Sequence, residues 1–440
     1  MYFLHKYLQS NAYNVAYFDQ FHGRLDVQKL SWALRLVSKQ HEALRSAYFI
    51  DVSTSLPGQA VMPEPNVKLI HKFEAKHGDE QFQTQIERVK EVNFDIEDDA
   101  VMKVAVSSHT SSLHSIIFHH HRIALDGVSW SIFVAELAQT YSAGLNGIKK
   151  SISAQHSIDM VKRKSTELAI NNKNREVDMA FWRKAYRSMP SQLPRFPFAK
   201  VKNRPPIKES DYRINSSDFR LSHQMTELIK KVALKIGLTP FHFYFASFAT
   251  FLARCLGVCD IAIVIVNASR TDAEDMETIG YFVNMLPVYI SLGASEKFEM
   301  IAKRSRDAIA TVFSHSHTPN DIINQQSLFQ VAINYRKVSV NKTSFANDGE
   351  IEWEGGVAAG NPYDLLLNVT TMPDWTYISL ITQQSLYTIA NNALLLKWYT
   401  STLEAIVQNP GIQISKYSVS NESAITKAKE LGQGSRIEAP

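Results

Sequence analysis

Phe118-His119-His120-His121-Arg122-Ile123-Ala124-Leu125-Asp126-Gly127-Val128-Ser129-Trp130 is the stretch on which the reading of this chain turns. An apolar, strand-like run over 113–119 ends in polar residues, passes through Asp126-Gly127 and enters a buried helix expected over 128–141. Strand ends that face a cleft are where α/β folds carry their reactive groups. Side chains alternate along a strand, which would set His119 and His121 on one face and His120 and Arg122 on the other. Asp126 stands where a turn residue or a helix N-cap belongs. Ser129 and Trp130 read as helix-start and packing residues.

Outward from this motif the periodicity switches repeatedly between 3.6 and 2, so the class is mixed α/β. Upstream, residues 26–40 read as a helix with Val27, Leu30, Trp32, Ala33 and Leu36 on one side, and 100–107 as a strand. Residues 149–176 are polar and rich in Lys and Asn, the best candidate for a boundary. The second half opens with a helix over 177–186 and a proline-punctuated link over 190–206. An amphipathic helix is expected over 221–236. Thr239-Pro240 then supplies an N-cap and a proline at the first helical position for a helix over 241–256, apolar on most sides and therefore central. Residues 260–266 form a continuous aliphatic run of the kind found in interior strands. Further strands are expected over 285–291, 329–335, 363–370 and 377–383, and helices over 297–313 and 389–407.

The 440 residues suit one to three domains, two being favoured. An apolar share of 45% with 20% charged residues belongs to an ordinary globular chain that needs no disulfide or metal to hold its core. No run reaches the ~18 apolar residues of a membrane helix, and Met1-Tyr2-Phe3-Leu4-His5-Lys6 lacks the features of a signal peptide. The chain opens on a helical pattern, as an excised piece of a longer polypeptide would. Cys255 and Cys259, four apart in an apolar run, read as core residues of a cytoplasmic protein. No ligand set for a metal accompanies them. A net charge of +4 argues against nucleic acid as partner. Lys149-Lys150, Lys162-Arg163-Lys164, and Arg183, Lys184 and Arg187 form solvated basic clusters that would also suit an acidic protein partner. Nucleophile elbow, phosphate loop and dinucleotide fingerprint are all missing.

The central motif resembles the His-His-x-x-x-Asp-Gly signature of the condensation domains of nonribosomal peptide synthetases, within the chloramphenicol-acetyltransferase-like superfamily. Aligned on Asp126-Gly127, the two histidine positions fall on His121 and Arg122. Gln40-His41-Glu42-Ala43-Leu44-Arg45 resembles the family's Arg-His-Glu-x-Leu-Arg segment. Asn267-Ala268-Ser269-Arg270-Thr271-Asp272 followed by Ile279-Gly280-Tyr281-Phe282-Val283-Asn284-Met285-Leu286-Pro287 resembles its Ile-Gly-x-Phe-Val-Asn segment. His315-Ser316-His317-Thr318-Pro319-Asn320-Asp321 and Leu328-Phe329-Gln330-Val331-Ala332-Ile333-Asn334-Tyr335-Arg336 resemble late motifs as fungal polyketide–peptide hybrids carry them.

This resemblance implies a V-shaped pseudo-dimer of two acetyltransferase-like lobes with a central tunnel: 1–176 with the His motif, 177–420, and a linker or tail over 421–440. It implies substrates delivered on the phosphopantetheine arm of an acyl carrier protein, other domains of a synthase as partners, and no bound cofactor, membrane or nucleic acid. The family reaction is attack of an amine on a carrier-bound acyl thioester. The second motif histidine acts as general base or positions the amine, and the Asp pairs structurally with an arginine, here Arg45 or Arg270. His120, Ser129, Asn284, Gln330, Asn334 and Tyr335 become candidates for lining the tunnel, and His121 for a structural role at the junction. For His119 a hydrogen-bonded place at the strand end is expected.

The departure lies at the decisive position. A histidine titrates near ~6.5, whereas arginine stays protonated, with five donors and no acceptor. Arg122 therefore cannot take a proton from a nucleophile, although a guanidinium is shaped to hold an anion or a carbonyl oxygen. His120 lies on the matching face but two residues, ~6.6 Å, too far back. Three functions follow as expectations. The first is a condensation domain impaired for amide formation and kept for acyl-chain or carrier binding, like the remnant that terminates some highly reducing statin-type synthases. The second is an active domain that forms an amide or ester by positioning alone. The third is a free-standing acyl-coenzyme A acyltransferase.

Overall fold

The computed structural model describes residues 13–73, 94–97, 100–144, 172–187, 192–201, 212–270, 273–316, 330–338, 342–345, 348–358 and 360–417. The opening segment, most of the expected boundary, the basic clusters at 149–150 and 162–164, residues 271–272, 317–321 and 328–329 of the quoted motifs, and the tail lie outside the described residues.

Along the chain run β1 (Asn14–Gly23), α1 (Val27–Gln40), β2 (Ser46–Ile50), β3 (Pro57–Val61), β4 (Lys68–Phe73), β5 (Met102–Ser108), β6 (Leu113–His121), α2 (Gly127–Ala143) and α3 (Asn172–Arg187). Then come β7 (Ile214–Leu221), α4 (His223–Lys235), α5 (Pro240–Leu256), β8 (Asp260–Asn267), α6 (Ala273–Glu277), β9 (Asn284–Ser291) and α7 (Phe298–Ser314). β10 (Val331–Lys337), β11 (Lys342–Ser344), β12 (Gly349–Ala358), β13 (Leu365–Thr371), β14 (Thr376–Gln383) and α8 (Ile389–Gln408) complete the order.

These elements form two compact units, each built on a six-stranded mixed sheet. In the first the strand order is β11-β12-β1-β6-β5-β4, with α1 and α2 packed over an apolar core that includes Leu30, Leu34, Val37, Phe118, Phe133 and Leu137. In the second it is β7-β14-β13-β10-β8-β9, around the fully buried α5 face of Phe243, Phe245, Phe248, Phe251 and Leu252. α5 starts as its sequence predicts, with Thr239 capping His242 N and Pro240 at the first position, and ends on Gly257 at φ 66°. Among the described residues no single helix is long and apolar enough to cross a membrane.

The units do not follow a single cut at 176/177, a point that lies inside α3. The first takes 268–283 and 340–360 as well as 1–172. β12 belongs to the first sheet through β1, which pairs antiparallel with β6 on one side and with β12 on the other. Neither β1 nor β12 stood out in the sequence. β1 is buried over most of its length and so lacks the alternation of a half-exposed strand. Two smaller readings also change. Leu221 closes β7, with Ser222 capping the helix that follows. Cys259 is exposed in the turn after α5, while Cys255 is half-buried and desolvation pushes its thiol up to about 12.

β1 and β12 meet closely at Gly23 and Gly349, which are register partners. A Cβ on Gly349, whose φ is 151°, would lie 2.2 Å from the His22 carbonyl oxygen and 2.9 Å from Gly23 Cα. Gly349→Ala should therefore cost about 1–3 kcal/mol through strain and clash. An unchanged thermal midpoint for this variant would contradict the pairing.

Candidate functional site: the His-Arg-x-x-x-Asp-Gly loop

The loop is built from the end of β6 to the start of α2. Asp126 caps α2, its Oδ1 accepting from Val128 N at 3.1 Å and Ser129 N at 2.8 Å. Its Oδ2 accepts from Phe282 N at 3.0 Å. Arg270 Nη2 donates to Asp126 Oδ1 and Oδ2, at 2.9 and 3.0 Å, and to Ser129 Oγ at 2.7 Å. Arg270 Nη1 donates to the carbonyls of Asp275 and, at 2.7 Å, Thr278. Ser129 Oγ in turn donates to Gly280 O at 2.7 Å and accepts from Gly280 N at 3.0 Å. Both charged side chains are 1% exposed. All these residues belong to the first unit.

Of the two arginines expected beside Asp126, only Arg270 is there. Arg45 instead donates to Lys39 O at 3.0 Å and Met62 O at 2.6 Å, closing the 3₁₀ turn Glu42–Arg45 against the residue after β3. Position in the motif, not charge alone, selects the partner. Ser269, next to Arg270, holds φ 50°, a strained conformation for a non-glycine residue.

The strand alternation expected through Arg122 stops one residue earlier. β6 ends at His121, whose Nδ1 accepts from Ile123 N at 3.1 Å and whose carbonyl accepts from Ala124 N. Arg122 sits in the resulting turn, half-buried, its N–H donating to Tyr13 O at 2.9 Å. Among the described residues its guanidinium has no ion pair and no hydrogen bond.

The three histidines are all buried. His120 lies in a stack with Tyr17, at 5.7 Å, and Trp130, at 6.2 Å, and its Nδ1 donates to the His121 carbonyl. Burial lowers its pKa to about 4, with a further lowering from the Arg122 charge against a raising from that hydrogen bond. His119 packs edge-on against Phe94 at 4.6 Å, and burial first, then His120 and Lys103, lower it to about 3. Both imidazoles are neutral at physiological pH.

The other nominated residues lie in the second unit. Asn284 Nδ2 donates to Ser316 O at 2.6 Å, and Gln330 Oε1 accepts from Leu193 N at 2.9 Å. Asn334 Nδ2 bonds Asn368 Oδ1 at 3.1 Å across β10 and β13, and the Tyr335 ring packs on Phe241 and Tyr244. Gln330 is buried, whereas Asn334 and Tyr335 are half-buried.

Two polar pairs escaped the sequence reading. His41 Nε2 and Glu136 Oε2 meet at 2.5 Å, linking α1 to α2. His315 Nδ1 and Asp178 Oδ1 meet at 2.7 Å, with Phe181 stacked on the imidazole at 4.1 Å. Each His was inside a quoted motif, but its acidic partner is 95 or 137 residues away, a separation that carries no local signal. Among the described residues no cluster of three or more His, Cys, Asp or Glu could hold a metal.

Two outcomes follow from this geometry. Arg270→Ala leaves a buried carboxylate without its counter-charge and should cost about 3–5 kcal/mol in urea unfolding, with a smaller loss for Arg45→Ala. Second, the unfolded chain protonates His119 and His120 near ~6.5, but the folded chain only at about 3 and about 4. The unfolded state therefore binds more protons in between, and stability falls as pH drops from 7 to 4. His120→Phe should flatten part of that loss; equal slopes in pH-dependent melts would mean that His120 is not held neutral.

Residues 1–427 match the sequence model described as Condensation domain. The chain is 30% identical over 451 residues to the hybrid PKS-NRPS synthetase iliA of Neonectria sp. (strain DH2), a match that covers 100% of this chain and 11% of that synthetase. It superposes on the condensation domain of the monacolin K polyketide synthase MokA with a TM-score of 0.80 at 19% identity, covering 94% of this chain and 96% of the other. The X-domain from teicoplanin biosynthesis, solved in complex with OxyB, matches with a TM-score of 0.77 at 20% identity over 95% of both chains. The fold is thus the mixed α/β condensation fold, and the chain belongs to the condensation domain family.

Proposed function

We propose that this chain serves a fungal polyketide or polyketide–peptide synthase as a condensation-type domain that does not form amides by base catalysis and is kept to bind an acyl chain and its carrier. The observation that carries this reading is the mismatch inside the motif. The scaffold of the loop is complete, with Asp126, Arg270, Ser129 and Gly280 all engaged, while the position of the family's base holds Arg122. An arginine cannot accept the amine's proton. The neighbouring histidines offer no substitute, since His119 and His120 are enclosed and stay neutral through lack of access rather than through tuning toward pH 7.

The substrate in this reading is an acyl thioester on the phosphopantetheine arm of an acyl carrier protein, and the other partners are neighbouring domains of the synthase. The curated relative is about nine times longer than this chain, which fits a domain of a larger enzyme. The teicoplanin X-domain, similar in fold, forms a complex with OxyB, which supports a binding role here. Catalysis by positioning remains the second reading, favoured by the half-buried guanidinium of Arg122, which has no partner among the described residues.

The deciding assay offers the purified chain an acyl carrier-protein donor and an aminoacyl carrier-protein acceptor. The unmodified chain is expected to give no amide, and Arg122→His to give some. Amide from the unmodified chain would replace this reading with that of a working catalyst without the usual histidine.

A further inference from the structure

Tyr281 stands in the Ile279–Asn284 segment, between Gly280 and Phe282. The loop geometry places it. Gly280 on one side is bonded to Ser129 and Asp126, with Asp126 N donating to Gly280 O at 3.3 Å. Phe282 on the other side donates its N–H to Asp126 Oδ2, and its ring lies 4.4 Å from the Arg270 guanidinium. Both flanking residues are thereby clamped to the motif loop, and Tyr281 between them has no freedom to leave it. It is half-buried, and among the described residues its hydroxyl has no hydrogen-bond partner. Arg122 is in the same condition four residues before Asp126. Both therefore stand on the same loop: Arg122 in the turn that leads into Asp126, and Tyr281 between the two residues bonded to Asp126 and Ser129.

We infer that Arg122 and Tyr281 form a two-donor site for the carbonyl oxygen of the acyl thioester. This rests on the acyl-binding reading above and goes further, because it assigns the contact atoms. A guanidinium and a phenol O–H are both donors, and a thioester carbonyl is an acceptor without charge. Burial raises the Tyr281 phenol above its ordinary value, so it keeps its proton and remains a donor throughout the physiological range. The position to which the family resemblance assigns a proton acceptor is, in this proposal, one half of a carbonyl clamp. No proton moves and no bond is made.

The test compares two probes that differ only at the carbonyl: octanoyl-pantetheine, a thioester, and S-octyl-pantetheine, the thioether with CH₂ in its place. Binding is measured by calorimetry on the full chain. The unmodified protein should prefer the thioester by about tenfold, the range of one charge-assisted hydrogen bond. Arg122→Ala and Tyr281→Phe should each abolish most of that preference and leave thioether affinity unchanged, while Arg122→Lys should keep part of it. The preference should be flat from pH 6 to 8.5, since guanidinium groups and buried phenols keep their protons there. Variants that retain the full preference, or a preference that changes through pH 6–7 as a histidine would, overturn the carbonyl clamp while acyl binding stands. Failure of the unmodified chain to bind either probe would instead remove the acyl-binding reading itself.

Discussion

Arg270 delivers one nitrogen to both carboxylate oxygens of Asp126 and to the Ser129 hydroxyl, and the other to two backbone carbonyls, with both charged ends withdrawn from water. Removing a carboxylate and a guanidinium from solvent costs several kcal/mol per ion, and mutual attraction offsets it only where the remaining hydrogen-bond capacity is filled. Here it is filled on the acid: Asp126 takes three backbone amides besides its counter-ion. A half-satisfied pair at this depth would be worse than an apolar core. The bonds that fill the carboxylate make its geometry specific, because a shift of the loop would strand a buried charge.

That specificity explains a feature of chain order. The chain leaves the second sheet at the end of β8, contributes 268–283 to the first unit, and re-enters at β9, whose Asn284 is paired with Asn267. An excursion of sixteen residues with only the short helix α6 in it has little regular hydrogen bonding of its own. Arg270, Gly280 and Phe282 supply the missing bonds by attaching it to Asp126 and Ser129. Arg270 also ties the excursion to itself through Thr278. The strained φ of Ser269 persists for the same reason: five donated bonds from the next residue over-determine it.

How much of this was legible depended on whether the determining contact was local. α5 could be read residue by residue, because cap, first-turn proline and apolar face are all local. β8 was readable for the same reason, its aliphatic run Ile261–Val266 being buried almost throughout. β1 was not, since a strand buried over most of its length shows no alternation, and neither was the transfer of β12 to the first sheet. That transfer depends on which edge was open, and edges are properties of the assembled sheet. At the site, Asp126 and Arg270 could be nominated through resemblance, but the choice between Arg270 and Arg45 required the fold. Alternation misplaced Arg122 because a side chain, His121 Nδ1, ends the strand by capturing Ile123 N. Side-chain bonds of this kind compete with strand pairing and leave no periodic trace.

The same packing that organises His119 and His120 also makes them poor proton acceptors. A general base must lose and regain solvent contact or substrate contact at the proton it moves, and must keep a pKa near the working pH. His120 is locked in a stack with Tyr17 and Trp130, and its register partner in β1 is Val15. The burial that fixes its ring also lowers its pKa to about 4, so order and basicity oppose each other along the strand. His121 is fully buried, with one nitrogen committed to the turn. Position 122 escapes this conflict because it stands just past the strand, half-buried in the turn. Substitution there leaves the Asp126 network untouched, since no bond in that network comes from the Arg122 side chain. The side chain at position 122 therefore contributes nothing to the loop's own scaffold, whose shape is set by Asp126, Arg270, Ser129 and the backbone of 280–282.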